Sequence, residues 1–162
     1  MTVRTLPRRA ELPRALYTSS QVRELDRVAI ERHGISGDTL MRRAGRGVLE
    51  RLRDRWPKAS HITVMVGSGN NGGDGFVVAR LAKAQGLAVT LFDLGDPAHR
   101  SGDAALQAQR WLDAGGECAS FEGRLPETDV VVDALLGTGL TRSVKGLYAE
   151  AITAINAHRS PC

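Results

Sequence analysis

Val66-Gly-Ser-Gly-Asn-Asn-Gly-Gly-Asp-Gly75 lies between a short apolar run, Ile62-Thr-Val-Met-Val66, and a stretch with helical character from about Asp74 to Gln85. The apolar run has the β-branched character of a fully buried strand. A strand-to-helix turn needs one or two glycines, whereas this one holds five in nine residues (67, 69, 72, 73 and 75). Consecutive glycines let the backbone take positive φ and approach a ligand closely. A helix start just beyond them offers free N–H groups and partial positive charge, which suits an anion. The segment therefore reads as a ligand-binding strand–turn–helix rather than a bare turn.

Working outward, the same alternation continues. Val89-Thr-Leu-Phe92 reads as a second strand, followed by a loop over 95–102 and a helix over 103–113 that carries Trp111 and Leu112. Cys118 to Phe121 reads as a weak third strand, and Val130-Val-Val132, ending at Asp133, as a strong fourth. A last helix over 147–157 turns Leu147, Ala151, Ile152 and Ile155 inward. Strands alternating with ten-residue helices indicate β-α-β units. The expected fold class is α/β: a three-layer αβα Rossmann-like sandwich with a mostly parallel sheet in the order 3-2-1-4.

Upstream, two helices have no strand before them. The first starts at Thr18, where Thr18 and Gln21 fit a capping box, and closes at Gly34. The second starts near Ser36 or Asp38 and stops at Trp56-Pro57, with Leu40, Ala44, Val48 and Leu52 as its apolar stripe. These helices are expected to pack across the sheet or to make a subunit contact. Residues 1–17, with two prolines and four arginines, read as a flexible leader, and 18–162 as one domain.

Composition narrows the class. The 162 residues are 42% hydrophobic and 25% charged, a balance that supports one globular core and excludes a disordered chain. No apolar run reaches the ~20 residues of a membrane helix, and no secretion signal is evident. Two cysteines, Cys118 and Cys162, build neither a disulfide framework nor a four-cysteine zinc site. The expected location is the cytoplasm. Residues 1–60 carry 14 Lys and Arg against 7 Asp and Glu; residues 61–162 carry 8 against 11. The basic third suggests a solvated arginine face over 42–55, or else an anionic partner. With only 2 Trp, 2 Tyr and 3 Phe, the composition argues against a stacking platform for single-stranded nucleic acid.

Several motif readings compete at the glycine-rich segment. Gly67-x-Gly69-x-x-Gly72 satisfies a dinucleotide fingerprint, and Asp93, 21 residues beyond Gly72, falls where a ribose-binding acid would stand. A phosphate loop fails because no Lys-Ser/Thr follows; a nucleophile elbow fails because Ser68 lacks its Gly-x-Ser-x-Gly frame. Asn70 and Asn71 add amides, and Asp74 adds a carboxylate that either caps the helix or opposes a pyrophosphate. Amide oxygens beside an acid suit a monovalent cation or a hydroxyl-rich ligand.

A second segment, Asp133-Ala-Leu-Leu-Gly-Thr-Gly-Leu-Thr-Arg-Ser143, follows the fourth strand. In the order 3-2-1-4 that strand lies beside the first, so both glycine-bearing loops flank one crevice at the topological switch point. Asp133 either serves that crevice or merely caps local N–H groups. Thr138, Thr141, Arg142 and Ser143 offer phosphate or hydroxyl contacts, with Arg142 the natural anion partner. His33, His61, His99 and His158 show no ligand spacing and read as surface residues, while Met41 and Trp111 read as core.

At these segments the sequence resembles the YjeF N-terminal domain family, the NAD(P)H-hydrate epimerases. Gly67-Ser-Gly-Asn-Asn-Gly-Gly-Asp-Gly75 carries the family signature, Asp133-Ala-Leu-Leu-Gly-Thr-Gly-Leu140 with Gly146 and Ile155-Asn156 a second block, and Gln21 to Ile30 with Gly34-Ile35, Leu40-Met41 and Ala44-Gly45 the N-terminal helices. The resemblance spans about residues 18–158. It implies interconversion of the R and S epimers of hydrated NADH and NADPH (NADHX and NADPHX), so that an S-specific dehydratase can restore the cofactor. It implies substrate contacts from Asn70, Asn71, Gly72, Gly73 and Asp74 and from Gly137, Thr138, Gly139, Leu140, Thr141, Arg142 and Ser143. Asn71 and Asp133 match positions that hold a potassium ion. A homodimer, and a fused or separate ADP- or ATP-dependent dehydratase, are the implied partners.

Two departures from the family pattern stand out. Arg42 follows the Leu-Met pair where a Glu is common. The family continues beyond Ser160-Pro161-Cys162 into another strand and an Asp-x-Pro-Ser-Gly loop, which supplies the proton-transferring acid and a potassium-ligating serine. The expectation is thus a C-terminally incomplete domain with no catalytic residue of its own, able to bind but turning over poorly or not at all. Its Val130–Val132 strand would be left as an apolar edge prone to pairing. Two alternatives stay open: an NAD(P)-dependent oxidoreductase using Asp93, and a non-catalytic dimerising or RNA-binding module resembling the C-terminal part of mRNA-decapping scaffolds.

Overall fold

The computed structural model describes residues 16–141 and 143–162. The leader expected over 1–17 lies outside them, apart from Leu16 and Tyr17, which are exposed. Two helices come first. Helix α1 (Ser19–His33) starts at the Thr18–Gln21 capping box and ends at Gly34, whose φ of 64° is the left-handed conformation that glycine adopts freely. Helix α2 (Gly37–Arg55) is capped by the Ser36 hydroxyl, which accepts from the Thr39 N–H.

Strand β1 (His61–Val66), α3 (Asn70–Ala84), β2 (Ala88–Asp93), α4 (Gly102–Asp113), β3 (Val130–Ala134) and α5 (Leu147–Ala157) follow. The three strands form a parallel sheet in the order β2-β1-β3, with Thr63 beside Thr90 and Val64 beside Val132. Alternation along each strand sends side chains to opposite faces. One face (Ile62, Val64, Val66, Leu91, Val130 and Ala134) packs against α2, α3 and α4 through Leu49, Leu52, Phe76, Val78, Ala82 and Trp111. The other (Met65, Phe92, Val131) packs against α5 through Ala151 and Ile155. The expected three layers and the parallel central sheet are present.

Four details differ from the sequence expectation. The weak strand at Cys118–Phe121 contributes only a single parallel bridge, Ala119 to Phe92, though on the expected side of β2. Helix α3 begins at Asn70 rather than near Asp74, because its glycines occupy the first turn instead of a loop. The buried stripe of α2 is Met41, Gly45, Leu49 and Leu52; Ala44 and Val48, one position away, line an open groove of about 1040 Å³ between α2 and β3. Leu147, expected inward, is 45% exposed. Beside β3, the Val131 N–H donates to the Pro161 carbonyl (2.9 Å), so the last residues run along that strand.

Candidate functional site

The two glycine-bearing segments leave adjacent strands at their carboxyl ends, and backbone hydrogen bonds tie their bases together. Gly67 N–H donates to Ala134 O (3.2 Å), and Leu94 N–H to Val66 O (2.9 Å). A side chain at Gly67 would place its Cβ 2.1 Å from the Leu135 carbonyl oxygen, and one at Gly72 would place it 2.0 Å from Gly67 O. Gly75 sits against Ala134 and Val66 in the same way, with only 2.6 Å and 2.7 Å left for a Cβ. The glycines thus let the start of α3 lie directly on the strand ends and on the turn after β3.

Across this contact, Asn71 Nδ2 donates to Leu136 O (3.1 Å). The donation fixes the amide, and among the described residues Asn71 Oδ1 has no hydrogen-bond partner. Asp133, exposed at the end of β3, accepts the Leu135 N–H on Oδ1 (2.9 Å). The local capping suspected for Asp133 is therefore real, but it uses one oxygen only. Gly137 stands 3.4 Å, measured from a Cβ built on it, from Asn71 Cβ. The crevice between the two segments is thus bordered by Asn71 and the start of the second loop, with Asp133 at the base of that loop.

The remaining residues singled out from sequence fall into three groups. Asn70, Gly137, Thr138, Gly139, Leu140, Thr141 and Ser143 are exposed around the crevice, and Arg142 lies outside the described residues. Gly72 and Gly73 are buried inside α3, Gly73 against Met41 and Ala104, so their side of the helix packs rather than faces outward. What they leave open is backbone: the N–H groups of Asn70, Asn71 and Gly72 form a first turn whose cap, Gly69, supplies no side-chain acceptor. Asp74 is five residues into the helix and does not cap it, contrary to one reading of the sequence. It is half-buried, and burial, then the nearby Asp26 carboxylate of α1, push its pKa up to about 6.

Asp93 does not present an acid to a ribose. Its Oδ1 accepts from Arg100 Nη2 (2.5 Å) and from Gly95 N–H (3.0 Å), with side-chain exposures of 13% for Asp93 and 6% for Arg100. Arg100 lies over the Phe76 ring, 5.0 Å from its centroid, and Asp96 N–H donates to Ser68 Oγ (3.1 Å). The segment after β2 therefore braces the glycine-rich turn from behind. This buried ion pair was not read from the sequence; its only sign was the Asp-x-x-Asp spacing with a later Arg. His61 and His158 are half-buried and bonded to Thr90 Oγ1 and Pro126 O, so only His33 and His99 are the exposed residues expected. Met41 and Trp111 are core, as expected. Among the described residues, no three His, Cys, Asp or Glu side chains gather as a metal site.

The profile of the family described as "YjeF-related protein N-terminus" matches residues 37–162. The chain belongs to this family. Within it, the chain is 46% identical over 148 residues to a bifunctional NAD(P)H-hydrate repair enzyme Nnr of Coxiella burnetii, covering 87% of this chain and 29% of that protein. It is 40% identical to an NAD(P)H-hydrate epimerase of Rhodopirellula baltica, covering 86% of this chain and 59% of the relative. A third relative, an NAD(P)H-hydrate epimerase of Limosilactobacillus fermentum, is 36% identical, with 89% and 69% covered. The chain thus spans about three tenths of the bifunctional relative and well over half of the two epimerases. The crystal structure of yeast ynu0 shares the fold with a TM-score of 0.74 at 22% identity, covering 88% of this chain and 67% of the other.

Proposed function

We propose that this YjeF-type domain binds hydrated NADH and NADPH between residues 70–74 and 137–143 and takes part in interconverting their R and S epimers, a step of nicotinamide-nucleotide repair. The observation that carries the reading is the Asn71–Leu136 hydrogen bond, which joins the signature loop to the second loop across one crevice. The relatives' names supply the substrate class. In this reading the uncapped first turn of α3 receives a phosphate of the nucleotide, and Thr138, Thr141 and Ser143 meet its remaining oxygens.

Asn71 Oδ1 and the second carboxylate oxygen of Asp133, unpartnered among the described residues, would hold a potassium ion, and hard oxygen donors suit such a cation. Bound there, the ion supplies positive charge that offsets Asp133 beside an anionic ligand. Asn71 orients the loop contact and Asp133 holds the turn through Leu135 N–H. Epimerisation at carbon requires a positioned acid or base; none of the residues brought together here is assigned that role. A fused or separate dehydratase as the next enzyme, a homodimer and a cytoplasmic location complete the proposal. The bifunctional relatives support the first of these.

Calorimetric titration with NADPH hydrate, in potassium and again in choline buffer, tests the reading. Saturable binding that weakens in choline is expected. Preference for intact NADPH over its hydrate would instead favour an oxidoreductase, although Asp93 is already committed to Arg100.

A further inference from the structure

We propose that Tyr148 is a further ligand contact of the crevice, donating its phenolic O–H to an oxygen of the bound pyridine nucleotide. The inference rests on the reading of the crevice as a nucleotide site. Tyr148 lies in the first turn of α5, an element assigned no part in binding so far. Its ring packs into the apolar cluster of Met65, Phe92, Leu135 and Ala151 on the α5 face of the sheet. That packing fixes where the hydroxyl emerges. It emerges at the joint of the two loops: a Cβ on Gly67 would lie 3.1 Å from Tyr148 Oη and 2.1 Å from Leu135 O. Gly67 in turn contacts Gly72, next to Asn71, so the hydroxyl stands at the glycine turn from which the amide follows.

Asp133 is two residues beyond Val131 within β3 and shares its α5 face, which puts Asp133 on the same side of the sheet as Tyr148. Among the described residues the Tyr148 hydroxyl makes no hydrogen bond, although the residue is half-buried. The hydroxyl is not among the fully buried polar atoms that lack a partner, so it is open to solvent, where a ligand can reach it. Here the ring holds the donor toward the crevice, and a phosphate, ribose or hydrate oxygen matches it.

The test uses the full chain and its Tyr148→Phe variant, which removes the O–H and keeps the ring. Each is titrated calorimetrically with NADPH hydrate and, separately, with NADP+. The expected result is about tenfold weaker binding by Tyr148→Phe, the loss of one hydrogen bond, at unchanged melting temperature. Equal affinities of the two proteins for the hydrate overturn the role of Tyr148 and leave the repair reading standing. If the unmodified chain binds NADP+ but not the hydrate, the repair reading fails, and the NADP+ arm alone decides Tyr148: tenfold weaker supports it, equal overturns it. Absence of binding to either nucleotide overturns both. Independently of the variant's stability, the Tyr148 Cζ resonance of the unmodified protein is expected to shift on saturation. A resonance that stays in place while ligand binds overturns the proposal.

Discussion

Asn71 is the side chain that ties the two loops together, because its Nδ2 holds Leu136 O, while among the described residues its Oδ1 has no partner. Asn71→Ala removes both functions. Nucleotide affinity is expected to fall at least tenfold and its potassium dependence to vanish, read by titration in potassium and choline buffers, with a stability loss of only ~1 kcal/mol for one hydrogen bond. Asp74 is a different case. Burial and Asp26 raise its folded pKa to about 6, above the ordinary value near 3.8. The folded state therefore binds the proton more tightly than the unfolded state, and stability from this group declines as pH rises from about 4 to 6. Asp74→Asn is expected to melt higher than the unmodified chain at pH 7.5, by about 2–4 °C, with the gap closing by pH 4. Melting curves at the two pH values check it, and a gap of constant size would refute the burial argument. At this scale the sequence disclosed which two segments meet, since glycine-rich turns after neighbouring strands are informative by type. It did not disclose partners. Nothing in the residue order says that Asp93 is spent on Arg100, since that pairing depends on how the chain after β2 folds back.

Helix α3 shows how an element places those residues. Gly72, Gly73 and Gly75 serve close packing, Gly72 against Gly67 O, Gly73 against Met41 and Ala104, Gly75 against Ala134 and Val66. Gly72→Ala forces a methyl to within 2.0 Å of a backbone oxygen, which cannot move aside as a flexible side chain could. The helix start must lift from the strand ends, at a cost of about 1–3 kcal/mol as in other overpacked interiors. Both a lower melting temperature and lost nucleotide binding are expected. A variant that keeps full affinity would show that the first turn of α3 is not the binding surface. Helix α1 is the contrasting element. It buries no residue, so its boundaries rest on local signals, the Thr18 box and Gly34, and these were fully legible in the sequence. Thr18→Ala is expected to speed amide exchange within α1 by several-fold and leave the global melt in place. Where tertiary contacts decide, legibility drops. The stripe of α2 falls one residue from its simple periodic reading because Gly45, not Ala44, admits Val77 and the Asp74 carbonyl. The strand at Cys118–Phe121 shrinks to one bridge because nothing beyond Ala119 pairs with β2.

For the molecule as a whole, the two faces of the sheet are unequal. Three helices cover one face with the larger apolar cluster, whereas α5, helped by Phe121 and Leu125 of the segment before β3, covers the other. The crevice sits at the carboxyl end of the strands where the two faces meet, so its floor inherits stability from the heavily packed side and its α5 wall from the lighter one. Hydrophobic stabilisation scales with the apolar area removed from water, and truncation in a well-packed region adds the cost of a cavity. Leu49, almost fully buried between α2 and the sheet, should therefore matter far more than Leu147, which is 45% exposed at the start of α5. Leu49→Ala is expected to cost about 2–5 kcal/mol and Leu147→Ala under about 1 kcal/mol. Urea denaturation resolves the two as shifts of the midpoint at constant slope, since neither change alters the surface exposed on unfolding by much. Comparable losses at the two positions would mean that the α5 face is as well packed as the other, and that the wall carrying Tyr148 is as rigid as the floor carrying Asn71.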